Sequence, residues 1–282
     1  MKIINAKVEE LVQKPGYEGM LEQIERGGRV CYKSEDKITP GSAEKFVNTL
    51  INRKHFAPLE HGTVYLVIPG YNDSFTRKIT RFFLDNKYSH CEVVWENDLI
   101  STMYVTTNYR VIVEHNLQEK IQKYIVDSPK ARHRIRRSFM ITCDRGISHE
   151  LVRHRVMSFN QESTRYVNYS QDKWGNEITV IKPCFWEESD PRFITWKNAC
   201  LDAEENYMML LREGATPQEA RAVLPNSTKT ELLMTGFVDG NDGWEHFLNL
   251  RCDKAAHPQA REVANMIKDL LNPIQAEAEI IK

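Results

Sequence analysis

Apolar positions recur at helical spacing over Tyr17 to Arg29 and over Ser42 to Lys54, where Ser42 is the expected N-cap. Thr63 to Ile68 is β-branched and apolar, the composition of a strand. Ser74 to Asn86 has a helical pattern, Leu99 to Glu114 is rich in Thr, Val and Tyr and reads as strand, and Leu117 to Val126 reads as helix. Ser138 to Cys143 is expected to be a short strand feeding a helix that begins near Asp144, and Ser163 to Tyr169 is again strand-like. A long helix is expected from about Phe193 to Arg212 and a shorter one from Thr216, with Pro217 at the first helical position. Lys229 to Phe237 reads as strand; Trp244 to Leu250 and Gln259 to Leu271 read as helix. Strands and helices do not alternate regularly, which favours an α+β fold over a doubly wound parallel sheet.

Composition changes this picture little. The 282 residues are compatible with one elaborated domain, and 41% hydrophobic and 27% charged residues fit a globular chain with a sizeable core. No stretch approaches the roughly 18 consecutive apolar residues of a membrane span. The first residues carry acids early and no apolar run, so no secretory signal is read there and a cytoplasmic location is expected. Cys31, Cys91, Cys143, Cys184, Cys200 and Cys252 are scattered without a CxxC spacing and read as reduced thiols. Net charge is −1, yet Lys130 to Arg155 holds eight Lys or Arg against Asp144 and Glu150.

The densest candidate chemistry lies between Asp144 and Ser170. Arg153, His154 and Arg155 fall near the end of the expected helix, and Ser163, Arg165 and Tyr166 follow on the next element. On a helix Arg153 and Arg155 would point about 160° apart, while Glu150 and Arg153 would share a face. Arginines aimed apart, with a Ser-x-Arg beyond them, suit two anionic ligands, because guanidinium grips phosphate through paired hydrogen bonds. Arg132-His133-Arg134 is a second such tripeptide without the downstream pattern, and it reads as surface charge.

Arg153-His154-Arg155, seven residues and then Ser163, with Ser158, Asn160, Arg165 and Tyr166, resembles the signature of flavin-dependent thymidylate synthases. RVCYKSE from Arg29, PLEHGTVYLVI from Pro58, ARAVLP from Ala220 and FLNLRCDKAA from Phe247 resemble further parts of that family in the same order. The resemblance implies a mostly antiparallel curved sheet flanked by helices, spanning residues 1–282 as one domain, and a homotetramer with active sites shared between subunits. It implies conversion of dUMP to dTMP, with carbon from methylene-tetrahydrofolate and hydride from FAD that NADPH re-reduces. By resemblance, His61, Thr63, Arg153, His154 and Arg155 contact FAD. Ser163, Arg165 and Arg221 hold the dUMP phosphate with help from Glu150, and Arg251 touches the uracil ring. Ser163 and Arg251 are the candidate catalytic residues. No metal, nucleic acid or membrane partner is implied. The chain departs from the pattern at VDGND, Val238 to Asp242, which reads as a short insertion where relatives carry Asn and Arg contacts to FAD; Phe237, Asp242 and His246 fall nearby. Ala255 replaces a frequent histidine, and Gly70 to Arg137 resembles an expanded insertion.

Three rival readings fit less well. His149 and His154 resemble a zinc HExxH pair but are five residues apart, about 140° around a helix, and cannot share a face. Pro183-Cys184 resembles the nucleophile of the flavin-free thymidylate synthases, but no thiolate-stabilising partner is evident in the sequence. A nucleic-acid-binding protein using the basic segment 130–155 is the alternative, although no RNP, KH or zinc-finger pattern accompanies it.

Overall fold

The computed structural model of the protein describes residues 1–70, 73–165, 167–171 and 175–280, residues 273–280 through their backbone alone. In chain order its elements are β1 (Lys2–Ile4), β2 (Lys7–Glu10), α1 (Gly16–Tyr32), α2 (Ser42–Asn52), β3 (Thr63–Pro69), α3 (Ser74–Asp85), β4 (His90–Glu96) and β5 (Leu99–Asn108). There follow α4 (Tyr109–Glu114), α5 (Gln118–Ile121), β6 (Ile125–Val126), β7 (Arg136–Asp144), α6 (Arg145–Leu151), β8 (Ser158–Gln161) and β9 (Thr179–Ile181). The chain continues with α7 (Pro191–Arg212), α8 (Pro217–Ala220), β10 (Lys229–Phe237), α9 (Trp244–Arg251) and α10 (Pro258–Ile280). The fold is mixed, as expected, with its antiparallel strands divided between two four-stranded sheets, β2-β7-β10-β8 and β4-β5-β3-β6. β1 and β9 form a separate parallel pair.

The β2-β7-β10-β8 sheet positions the candidate site, and both its faces are covered. Side chains alternate along β7 and β10, so Phe139, Ile141, Cys143, Leu232 and Met234 turn to one side, where Trp244, Phe247, Val263 and Ile267 of α9 and α10 complete a core. Leu233 and Thr235 turn the other way. There α1 lies so close that a Cβ added at Gly27 would stand 2.8 Å from Leu233 Cδ2 and 3.3 Å from the His61 ring. Gly27 is what permits that approach. The second sheet packs with α1 to α4 around Leu66, Ile68, Phe83, Met103 and Ile112.

Several local expectations change. Gly41, at φ 77°, is the N-cap of α2, so Ser42 lies inside the helix, where its hydroxyl donates to Glu25 Oε2 at 2.7 Å. The Leu99 to Glu114 segment breaks at Asn108, whose side chain accepts the Val111 N–H at 3.2 Å and starts α4. Leu117 to Val126 is helical only as far as Tyr124; the β-branched Ile125–Val126 pair then joins the edge of β3. No strand covers the described part of Ser163 to Tyr169, and Tyr166 lies outside the described residues. The strand comes earlier, at Ser158–Gln161; Glu162 N–H still reaches Glu231 O of β10, and Ser163 N–H then bonds instead to Cys31 O at the end of α1.

The first RHR is not idle surface charge. His133 is buried and bridges the Lys130 N–H and Leu66 O. Arg134 binds Asp239 and Asp242, tying down the Val238 to Asp242 segment. Only Arg132 fits the original reading, half-exposed and paired with Glu92.

Candidate functional site

Asp144 opens α6 by accepting the Ile147 N–H at 2.7 Å, and its other oxygen accepts Gln259 Nε2 of α10 at 2.8 Å. The helix ends at Leu151, earlier than expected. Arg153, His154 and Arg155 therefore lie in the following turn, which Arg153 N–H closes onto Glu150 O and Met157 N–H onto His154 O. The helical angle between the two arginines does not apply there. Arg153 and Arg155 are exposed and, among the described residues, without a side-chain hydrogen bond or ion pair. His154 is half-buried against Phe247.

Arg251, the last residue of α9, joins this turn to the C-terminal half. It donates to Glu150 Oε2 at 2.7 Å, to Glu150 O at 2.6 Å and to His154 Nε2 at 3.3 Å. Because His154 Nε2 accepts, its proton sits on Nδ1 when the ring is neutral. Burial, then the neighbouring Arg251 and His246, lower the His154 pKa to about 4.

β8 leads from this turn to a second group. Gln161 donates to Ser148 Oγ of α6 and to Thr230 of β10. Glu162 is buried and receives Lys229 Nζ at 3.0 Å and the Glu231 N–H at 3.1 Å, while Lys33 pairs with Glu231. On this anchored base Ser163 Oγ accepts the Arg165 N–H at 3.4 Å, and Arg221 Nη1 reaches Thr164 Oγ1 at 3.3 Å. Ser163, Arg165 and Arg221 are thus neighbours.

His61 and Thr63 form a third, interior group. His61 is wholly buried, with Nδ1 2.7 Å from Thr235 Oγ1, which in turn meets Ser138 Oγ at 2.7 Å. Arg136 donates to Glu60 O, Thr63 Oγ1 and Ser158 Oγ, so it connects this group to the start of β8. Burial, with the Arg136 charge adding, lowers the His61 pKa to about 3; burial also lowers that of Arg136 to about 10. Arg136 and Thr235 were not foreseen. Both sit on strand faces whose polarity reads as solvent-facing until the Ala57–His61 segment and β3, for Arg136, and α1 with His61, for Thr235, are known to cover them.

His61 Nε2 and Asn160 Nδ2 are among the buried polar atoms that lack a partner within the described residues. They and the unpaired Arg153 and Arg155 fit a large, anionic, hydrogen-bonding cofactor such as FAD. The first half of the basic segment is consumed internally: Arg132, Arg134 and Arg137 hold carboxylates and Arg136 is buried. That disfavours a nucleic-acid face there. Among the described residues no group of three or more His, Cys, Asp or Glu could hold a metal, and no helix is long and apolar enough to cross a membrane.

The family model described as thymidylate synthase complementing protein matches residues 133–275. The chain is similar to the flavin-dependent thymidylate synthase of Corynebacterium efficiens, 35% identical over 130 residues, covering 43% of this chain and 50% of the relative. It is also similar to that of Geobacter sulfurreducens, 31% identical over 120 residues, covering 43% and 49%. The chain spans about half the length of the curated relatives it matches. Among solved structures it is similar to the UMP/dUMP methylase PolB of Streptomyces cacaoi bound with 5-Br dUMP, with 19% identity, a TM-score of 0.43, and 96% and 91% of the two chains covered.

Proposed function

Because the chain belongs to the thymidylate synthase complementing protein family, we propose that it is a flavin-dependent thymidylate synthase acting in the cytoplasm. It converts dUMP to dTMP with carbon from methylene-tetrahydrofolate and hydride from reduced FAD, which NADPH regenerates. The observation that carries this reading is that the matched residues 133–275 contain the whole arginine set, Arg153, Arg155, Arg165, Arg221 and Arg251.

FAD, when bound, supplies the hydride that no side chain can deliver. Arg153 and Arg155, with no internal partner among the described residues, would hold its anionic part, with His154 between them in the chain. His61 and Thr63 would serve the ring end. Ser163, Arg165 and Arg221 bind the nucleotide phosphate. Glu150 orients Arg251, whose guanidinium stabilises negative charge that develops on the uracil ring as C5 becomes nucleophilic. No cysteine nucleophile is needed. Cys184 has its thiol pKa raised, by burial first and then by Glu262, the opposite of what a thiolate nucleophile requires. The protein assembles as a homotetramer with shared sites.

The purified protein should absorb between about 300 and 550 nm, bleach with NADPH without oxygen, and form dTMP. Ser163→Ala and Arg251→Ala should each lower turnover by about 100-fold. A colourless protein that takes up no FAD, or near-normal turnover in both variants, would overturn the reading.

A further inference from the structure

Arg145 is a basic residue to which neither the family pattern nor the mechanism above gives a task. It lines a cavity of about 440 Å³ together with Thr164, Gln218, Arg221 and Asn226, and no carboxylate is among the described residues that line it. Its backbone is pinned there: Arg145 N–H donates to Thr228 O at 3.0 Å, and Gly146 N–H to Asn226 O at 3.2 Å. Its Nη1 is shielded from solvent and has no acceptor among the described residues. On the neighbouring wall, the hydrogen bond that Arg221 Nη1 makes is the 3.3 Å contact to Thr164 Oγ1.

A guanidinium cannot shed its charge to escape such a position, and a shielded N–H without an acceptor is costly. Two guanidiniums, a hydroxyl and two amides around one cavity, with no carboxylate among its described lining, form a donor-rich, doubly positive site. The complementary ligand is a dianion with several acceptor oxygens, a phosphate monoester.

We propose that Arg145 is a further phosphate-binding guanidinium, acting with Arg221 on a phosphate monoester seated in this cavity. Only the identification of that monoester as dUMP rests on the functional reading above. The cavity also joins two chain segments, the start of α6 and the turn after α8, so the ligand would draw together elements that otherwise meet through backbone contacts.

The test is calorimetric titration of the full-length, FAD-loaded protein with dUMP, deoxyuridine and inorganic phosphate, for wild type, Arg145→Gln and Arg145→Lys. In Arg145→Gln, dUMP and inorganic phosphate should each bind roughly 10- to 100-fold more weakly. Deoxyuridine should be unaffected, and Arg145→Lys should recover part of the loss by keeping the charge. If Arg145→Gln binds dUMP as wild type does, the inference is overturned while the synthase reading stands. If wild type ignores dUMP but binds inorganic phosphate in an Arg145-dependent way, the anion site stands and the synthase reading fails. If binding of neither ligand depends on Arg145, the inference fails. Should Arg145→Gln prevent folding, a crystal of the wild-type complex with dUMP decides. A phosphate oxygen within hydrogen-bond distance of the Arg145 guanidinium supports the inference, and a phosphate seated elsewhere refutes it.

Discussion

His61 and His154 are both kept neutral by the fold, His61 in the interior beside Arg136 and His154 at the boundary beside Arg251. For a histidine whose folded pKa lies below the unfolded value near 6.5, the unfolded chain takes up the proton first. The stability that such a neutral ring represents is therefore complete above pH 6.5 and is lost as pH falls toward the folded values, about 3 for His61 and about 4 for His154. For His61 the loss between pH 6.5 and 5 should be about 2 kcal/mol; for His154, which solvent reaches, it should be smaller. Urea-unfolding midpoints measured over this range should fall, and His61→Gln, which cannot titrate, should flatten the decline. An equally steep decline in that variant would mean that His61 is not held neutral. Glu150 illustrates a different point at this scale. Its carboxylate and carbonyl both serve Arg251, so it acts on a ligand through the arginine it holds.

At the scale of elements, α6 is a short helix whose end decides where the RHR turn stands. A seven-residue helix has little stability of its own, so its cap and its docking fix it. Asp144 provides both, capping α6 through one oxygen and receiving Gln259 of α10 on the other. Asp144→Ala should destabilise the protein by about 1–2 kcal/mol, and Asp144→Asn, which can still cap, by less. Thermal unfolding of the two variants checks this; equal losses would show that the cap contributes nothing beyond charge. β8 is the companion element. It receives Arg136 at its start, binds α6 through Gln161, and releases the chain into Glu162 and Ser163.

For the whole molecule, the candidate residues form three groups: the turn with Arg251, the Ser163–Arg165–Arg221 set, and the interior His61–Thr63 set. Arg153 and Arg155 point to solvent and the second set lies across β8 from them, an arrangement suited to sites completed between subunits of a symmetric assembly. Light scattering should give about four times the 32.9 kDa chain mass. Mixing inactive Arg153→Ala with inactive Arg221→Ala should then restore turnover well above either variant alone, because some hybrid sites draw both intact residues. A monomeric mass, or no recovery on mixing, would sink the shared-site proposal.

What could be read from the sequence alone was local. The span of β10, the start of α6 at Asp144, Pro217 opening α8 and the limits of α7 follow from periodicity, capping and backbone restriction, which act within a few residues. The arginine–serine spacing was legible for the same reason, since it is a linear pattern. Tertiary structure decided the rest. Strand composition could not show that α1, the Ala57–His61 segment and β3 cover the polar face of β7 and β10, where Arg136, Thr235 and Ser138 are buried. Nor could it show that Ser163, beyond the end of β8, finds its partner in α1, 132 residues away at Cys31. Arg145 Nη1, without an acceptor among the described residues, is of the same kind: whether a buried donor has an acceptor depends on which distant segments close around it, and no local pattern encodes that.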